Sequence, residues 1–165
     1  MPSEGFYENQ DPAQADMNLR GRLTTDAQGH IAFRSIEPAA YPIPTSGPVG
    51  ALLRAQGRHN LRPAHIHFLI HKPGFKTQFS QVYASDDPNL DSDVQFAVTP
   101  ALVGQVVLHD SAHEAAPDAG VQGPWYSLSH HFVIEPGESR LPRPPITAGS
   151  RAGERPALVE LPRRH

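Results

Sequence analysis

The sequence Arg-Pro-Ala-His-Ile-His-Phe at residues 62–68 decides both the fold and the chemistry that this chain can support. Side chains alternate between the two faces of a strand, so His65 and His67 lie on one face, about 6–7 Å apart along the strand. The apolar residues between and after them face the core. Two imidazoles at that spacing can chelate one ion. They can also be ordinary histidines on a solvated face, but the apolar opposite face and the cation at Arg62 favour the ligand interpretation.

Short strands and turns extend outward from this stretch. The sequence Lys-Pro-Gly at 72–74 predicts a turn, and Pro48 and Gly57 bracket one short helix. Residues 86–98 are acidic and rich in turn residues, which predicts a loop. Apolar and polar residues alternate in the remaining segments, which predicts a hairpin over Met17–Arg34 and strands over Ala64–Ile70, Thr77–Tyr83, Val103–His109 and Trp125–Glu135. Leu52 and Leu53 on one face predict the helix near Val49–Gln56.

Composition points to a mainly β fold and excludes several classes of protein. The 165 residues include 18 prolines and 13 glycines, too many breakers for a helix bundle. A net charge of −3 gives no basic surface for nucleic acid, and no apolar run is long enough to span a membrane. Cysteine is absent, which excludes disulfides and thiolate metal sites and is compatible with the cytoplasm, where we expect the protein. The first residues have neither the basic nor the apolar region of a secretory signal, so we expect none.

A metal held by the two histidines needs further ligands, and the sequence offers two kinds. No acidic residue follows at 68–74, so a facial triad of two histidines and one carboxylate needs a distant acid such as Asp91 or Asp93. Those two acids lie in the turn-rich run, which we predict to be a solvated loop. Tyrosine is the other candidate, because a phenolate is a hard anionic ligand that favours Fe(III). Spacing alone leaves open whether Tyr41 is a ligand or a packing residue.

A longer series of motifs resembles one known family. Tyr-Pro-Ile-Pro at 41–44, Gly-Pro-Val-Gly at 47–50, Gly-Arg-His at 57–59, the 62–68 stretch and Pro-Gly-Phe at 73–75 follow one another in order. Together they resemble the catalytic core of the intradiol ring-cleaving dioxygenases, ferric enzymes that open catechol, hydroxyquinol and protocatechuate. The resemblance covers roughly residues 5–107. It implies a β-sandwich with one short helix, and an Fe(III) ion with the ligands Tyr7, Tyr41, His65 and His67.

The same resemblance implies roles for the residues around the ion. The substrate would be a small aromatic diol, cleaved by O₂ between its two hydroxylated carbons to a muconate-type diacid. Tyr41 would also accept a substrate proton, and Arg62 would stabilise the charge that develops on the ring. Gln81 would help to orient the ring, and Ile43 and Pro44 would line its pocket.

Domain organisation follows from the resemblance and from composition. We expect residues 1–135 to form the catalytic domain, truncated at its N-terminus because family members carry additional strands before the first tyrosine ligand. We expect residues 136–165 to form a Pro/Arg-rich disordered tail. A full-length form would be a homodimer. The alternative is a catalytically inactive remnant of the same fold that acts as a binding module.

Overall fold

The computed structural model describes residues 13–15, 17–110, 114–118 and 120–141. Within these ranges the chain is mostly strand, with one α-helix and two single turns of 3-10 helix, Leu90–Ser92 and Pro100–Leu102. The elements are β1 (Tyr41–Pro42), α1 (Pro48–Ala55), β2 (Leu61–Arg62), β3 (His65–Ile70), β4 (Gln78–Ala84), β5 (Val103–His109) and β6 (Trp125–Ser129). The mainly β class predicted from composition is confirmed.

The strands form two sheets. One has four strands in the order β3-β4-β5-β6, in which the central β4–β5 pair is parallel and the two outer pairs are antiparallel. The other contains the short antiparallel pair β1–β2. The predicted strand over Val103–His109 has the same bounds as β5, whereas β6 ends at Ser129, before the predicted end at Glu135.

The β3–β4 hairpin is the best-defined part of the sheet. Gly74 has φ = +82°, and Phe75 N–H donates to the Lys72 carbonyl at 3.1 Å, so the predicted turn at 72–74 is confirmed. Val82 and Tyr83 on β4 are completely buried. The core therefore lies along β4, directly behind the strand that carries the two histidines.

Helix α1 lies within one residue of its predicted bounds. Pro48 occupies the first turn, where its missing N–H costs no hydrogen bond. Gly50 is required for close packing, since a Cβ there would lie 2.0 Å from the Thr45 carbonyl oxygen. Gly57 follows in the left-handed region at φ = +64°. No described helix is long and apolar enough to cross a bilayer.

The predicted hairpin over Met17–Arg34 is wrong. A turn does form, because Asp26 N–H donates to the His30 carbonyl and the Asp26 carboxylate accepts from the backbone N–H groups of Gln28 and His30. The segments on either side of it do not pair into strands. Four of their apolar side chains stay 39–45% exposed, namely Leu19, Leu23, Ile31 and Phe33. The alternating pattern is present, but the described part of the chain leaves these side chains only partly covered.

The predicted tail starts at Pro136. Gly137 N–H donates to the Gly74 carbonyl, and Ser139 Oγ donates to the carbonyls of Lys72 and Phe75, so the described residues at 136–141 contact the β3–β4 turn. Residues 142–165 lie outside the described residues, and the disorder of the tail stays a prediction.

Candidate active site

Six polar side chains from four strands, two in each sheet, meet in one cluster, and strand register explains why. In the β3–β4 ladder, His65 lies opposite Tyr83 and His67 lies opposite Gln81. Residues directly opposite each other in a ladder project from the same face. In the β1–β2 pair, Tyr41 lies opposite Arg62. Arg62 precedes the first histidine, His65, by three residues. The cluster is therefore Tyr41, Arg62, His65, His67, Gln81 and Tyr83.

The two histidines are arranged as a chelating pair. His65 Nδ1 lies 2.6 Å from the Pro63 carbonyl oxygen, which can only accept, so Nδ1 carries the proton and Nε2 keeps its lone pair. The Nε2 atoms of His65 and His67 are 3.1 Å apart. Two nitrogens bound about 2.1 Å from one metal ion, at an angle near 90–100°, are about 3.0–3.2 Å apart. The separation fits a shared ion.

Both imidazoles are held in the form that binds a metal. Burial, together with the positive charge of Arg62 and the proximity of His67, lowers the pKa of His65 to about 4. His67 is more exposed than His65, but its partial desolvation and the Arg62 charge also lower its pKa below the usual range. Near neutral pH both rings are therefore uncharged, as a metal ligand must be.

Tyr41 brings a third donor to the same place. Its ring centroid lies 5.4 Å from that of His65, and its hydroxyl accepts a hydrogen bond from Arg62 Nη1 at 3.4 Å. A phenolate oxygen and two imidazole nitrogens form a donor set that fits Fe(III). The predicted fourth ligand, Tyr7, lies outside the described residues.

The carboxylate alternative finds no support in the described part of the chain. No group of three or more His, Cys, Asp or Glu side chains is placed there to hold a metal. Asp91 is exposed, and Asp93 binds Arg62 instead of facing the histidine pair. Asp93 is thus bonded to Arg62 at the edge of the cluster, whereas the Tyr41 ring lies against His65 itself.

Arg62 lies at the centre of the cluster, with its side chain only 3% exposed. Nη1 donates to the Tyr41 hydroxyl at 3.4 Å and to His65 Nε2 at 3.2 Å. Nη2 donates to the Tyr83 hydroxyl at 2.7 Å and to Gln81 Oε1 at 3.4 Å. Burial lowers the pKa of Arg62, but its hydrogen bond to Tyr41 and the nearby negative groups raise it overall, so the guanidinium stays charged.

Tyr83 is a member of the cluster that the sequence analysis missed. It is completely buried, and its hydroxyl accepts hydrogen bonds from both Arg62 and Gln81. Burial raises its pKa, so the phenol stays protonated near neutral pH, unlike a metal-bound phenolate. The sequence did contain a signal for Tyr83. If the strands on either side of the 72–74 turn pair as a hairpin, residue 83 lies opposite His65.

Asp93 corrects a prediction. The sequence analysis placed it in a solvated loop, yet it is 3% exposed and its Oδ1 lies 3.4 Å from Arg62 Nε. An open cavity of about 560 Å³ adjoins it, lined by Leu90, Asp91, Asp93, Phe96, Val98, Pro100 and Val103. Neither Ile43 nor Pro44 lines this cavity, so it is not the predicted ring pocket. The local composition could not reveal a partner 31 residues away.

Two polar side chains hold the backbone on which the cluster depends. Asp87 Oδ2 accepts from Ala64 N–H at 2.8 Å, immediately before β3 begins. Asn60 Nδ2 donates to the Ile43 carbonyl at 2.9 Å, and Ile43 N–H donates back to the Asn60 carbonyl at 2.8 Å, which extends the β1–β2 pairing. Ile43 is half-buried and Pro44 exposed, and their lining of a ring pocket stays a prediction.

Comparison with known proteins identifies related sequences over most of the chain. A family model described as "Dioxygenase" matches residues 2–134. The hydroxyquinol 1,2-dioxygenase of Rhizobium sp. (strain MTP-10005) is 41% identical over 132 residues, which are 79% of this chain and 45% of that protein. The 6-chlorohydroxyquinol 1,2-dioxygenase of Cupriavidus pinatubonensis is 48% identical over 134 residues, 81% of this chain and 44% of that one.

Solved structures agree with the sequence comparison. The hydroxyquinol 1,2-dioxygenase from Pseudomonas putida DLL-E4 superposes with a TM-score of 0.70 at 43% identity, covering 81% of this chain and 46% of that chain. The catechol 1,2-dioxygenase from Pseudomonas arvilla C-1 gives a TM-score of 0.74 at 36% identity, with 83% and 44% covered. These matches confirm the sheet-rich fold. The chain spans less than half the length of the curated relatives it matches.

Proposed function

The chain belongs to the intradiol ring-cleavage dioxygenase family, and from that premise we propose that it carries the catalytic centre of a non-haem Fe(III) enzyme. The reaction joins a small aromatic diol with O₂ and breaks the bond between the two hydroxylated carbons. Both oxygen atoms enter the muconate-type diacid, so no reductant is needed. The observation that carries the proposal is the convergence of Tyr41 and the histidine pair around a buried guanidinium, whose nearby acid, Asp93, is bonded to the guanidinium itself.

The ion would be held by Tyr41 Oη, His65 Nε2 and His67 Nε2, with Tyr7 as the fourth protein ligand. When bound, Fe(III) supplies Lewis-acid activation of the diol toward O₂. The neutral state of both imidazoles and the anionic form of a bound phenolate match what a trivalent cation requires. The 3.1 Å separation of the two Nε2 atoms supports this assignment.

Residues of the chain accept the substrate proton, stabilise the developing charge and orient the ring. Tyr41 Oη accepts a proton from a substrate hydroxyl, so one side chain serves as ligand and base. Arg62 supplies a fixed positive charge next to the ring, where negative charge develops during attack by O₂. The Gln81 amide, which contacts both Arg62 and Tyr83, orients the ring, and Ile43 and Pro44 border it.

The substrate class follows the relatives by analogy. Matched proteins are named hydroxyquinol, 6-chlorohydroxyquinol, catechol and chlorocatechol 1,2-dioxygenases. We propose the same group of catechols for this chain. A cytoplasmic location and a homodimer in the full-length form belong to the same proposal.

The test is purification with iron, followed by metal analysis, visible spectroscopy and O₂ uptake with catechol, hydroxyquinol and a chlorocatechol. We expect Fe(III), a colour from tyrosinate-to-iron charge transfer, and a diacid product. Tyr41→Phe should weaken or shift the visible band and leave the fold intact. A colourless protein that needs Fe(II) contradicts the phenolate assignment. A folded, coloured protein that consumes no O₂ favours the alternative, an inactive binding module.

A further inference from the structure

We propose that Asp93 is a positioning residue for Arg62, holding the guanidinium from behind so that both Nη groups face the histidine pair and the ring. The inference rests on the proposed function, because it concerns the direction of the charge that stabilises the ring. No motif in the sequence marked this residue. It comes from a contact between two side chains 31 residues apart, each only 2–3% exposed.

The contacts of Arg62 separate by direction. Nε points to Asp93 Oδ1, and four further contacts are made by Nη1 and Nη2 with the hydroxyls of Tyr41 and Tyr83, the His65 ring and the Gln81 amide. The five N–H groups of the guanidinium thus have five partners. The Asp93 carboxylate lies on the Nε side, and the other four groups lie on the side where the metal and substrate would bind. Arginine is suited to this arrangement because its fork is rigid and always charged.

Asp93 is itself fixed by the backbone. Its Oδ1 accepts from Gln95 N–H at 3.2 Å and its Oδ2 from Ala97 N–H at 2.9 Å. These two bonds from the loop backbone fix the orientation of the carboxylate, with Oδ1 directed at Arg62. The carboxylate therefore acts as a fixed point and not as a mobile counter-ion.

The loop that carries Asp93 is tied to the strand that carries Arg62. Val94 N–H lies 3.4 Å from the Leu61 carbonyl oxygen, next to Arg62 on β2. Arg58 Nη2 donates to the carbonyls of Asp93 and Val94, and its Cζ lies 3.9 Å from the centroid of the Phe96 ring. The loop therefore makes four contacts with Arg58 and Leu61, which keep the carboxylate behind the guanidinium.

Loss of this carboxylate has a specific consequence. Removing one partner of a buried pair leaves the other charge uncompensated, so the guanidinium moves toward other acceptors or water. A displacement of about 1 Å of a preorganised group can cost about 10²-fold in rate. Substrate affinity changes less, because the charge on Arg62 remains and acts mainly on the developing negative charge of the ring.

The first test observes the contact without catalysis. The Arg62 Nε–H signal in a ¹H–¹⁵N spectrum is assigned by its loss in Arg62→Lys, and we expect slow solvent exchange. Asp93→Asn should shift this signal and speed its exchange, whereas Asp91→Asn, an exposed neighbour in the same loop, should leave it unchanged. An unaltered Arg62 signal in Asp93→Asn overturns the proposal.

The second test asks whether Asp93 acts through Arg62. With the iron-loaded full-length protein, Asp93→Asn should lower kcat about 10- to 100-fold and change KM less than about threefold. In the Arg62→Lys background the same substitution should lower kcat less than about twofold, because the partner is already gone. Additive losses in the double variant overturn the proposal. Absence of ring cleavage by the wild type defeats the proposed function, and the Arg62 signal then still decides the positioning.

The variant Asp93→Glu keeps the proposal testable if Asp93→Asn does not fold. This variant keeps the charge and lengthens the side chain by one methylene group. The proposal then predicts a folded protein with a displaced Arg62 signal and lower kcat. Wild-type values for both measurements overturn it.

Discussion

Residues 65–84 and residues 19–34 both place alternating apolar side chains on either side of a turn with a left-handed glycine. In the first segment, six residue pairs form the β3–β4 ladder, and β4 also pairs with β5. In the second segment the turn at 26–30 closes, but the flanking residues form no ladder. The two segments thus share a pattern and differ in the surface available to cover it.

Burial accounts for the difference. At the site end of the ladder Val82 and Tyr83 are completely buried, although Leu69 and Phe79 near its turn are 51% and 67% exposed. No residue of 19–34 is buried, and its larger apolar side chains are 39–45% exposed. The contact between Phe33 and Phe68, with ring centroids 6.3 Å apart, is an aromatic link from the second segment to β3. A strand gains most of its stability from covered side chains, so alternation alone does not form one. The candidate site is built on the covered segment.

The largest contrast concerns the metal. His65→Ala removes one of two Nε2 donors 3.1 Å apart, so we expect loss of bound iron, of the visible colour and of all ring cleavage. His30→Ala is the matched control, since its side chain is 80% exposed in the second segment, and it should keep all three. Iron content and absorption spectra measure the effect.

Two results would break this contrast. Full iron content in His65→Ala would remove the histidine pair from the site. Loss of iron in His30→Ala would show that the second segment takes part in metal binding, which its exposure argues against.

A second contrast compares two arginines. Arg62→Ala should reduce turnover about 10²–10³-fold, the range for losing one preorganised stabiliser, and should keep iron and colour. Arg34→Ala loses an exposed ion pair with Asp118 at 2.8 Å, and such pairs contribute about 0–1 kcal/mol. Its turnover should be unchanged. Steady-state kinetics and iron analysis distinguish a catalytic Arg62 from a structural one, because a structural role predicts loss of folding or iron in Arg62→Ala.

A third contrast compares two core candidates by stability. Val82 is completely buried, and its Cγ1 would lie 2.6 Å from a Cβ added to Gly104 on β5, so it packs directly on that strand. Val82→Ala should lower the free energy of unfolding by about 2 kcal/mol. Leu23→Ala, at a side chain 39% exposed, should cost less than about 1 kcal/mol. Equal losses in denaturant titrations would show that the second segment is as well packed as β4.

These contrasts also indicate what the sequence could predict. The strands at 65–70 and 103–109 lie within one residue of their predicted bounds. Strands that face a core show an apolar pattern in the sequence, and turn residues mark where they end. The resemblance of the motifs at 41–44 and 62–68 identified the family, which the comparisons confirm. The environment of Asp93 and the exposure of residues 19–34 could not be predicted, since both depend on partners distant in sequence.

The smallest contrast compares the two turn glycines. Gly74 has φ = +82° and Gly29 has φ = +85°, and no atom lies within 4 Å of a Cβ added at either position, so an alanine meets the same backbone strain without a clash. That strain is about 1–2 kcal/mol for a left-handed residue. At Gly74 the turn joins a full ladder, and its carbonyl accepts from Gly137 N–H at 2.9 Å, so Gly74→Ala should lower the global free energy of unfolding by about 1 kcal/mol. At Gly29 the turn joins no strand ladder among the described residues, so it can relax or open without unfolding the four-stranded sheet, and Gly29→Ala should cost less than half as much. Denaturant titration of both variants measures the difference. Equal costs would mean that the 26–30 turn unfolds together with the β3–β4 ladder, and the two segments would then belong to one cooperative unit despite their different burial.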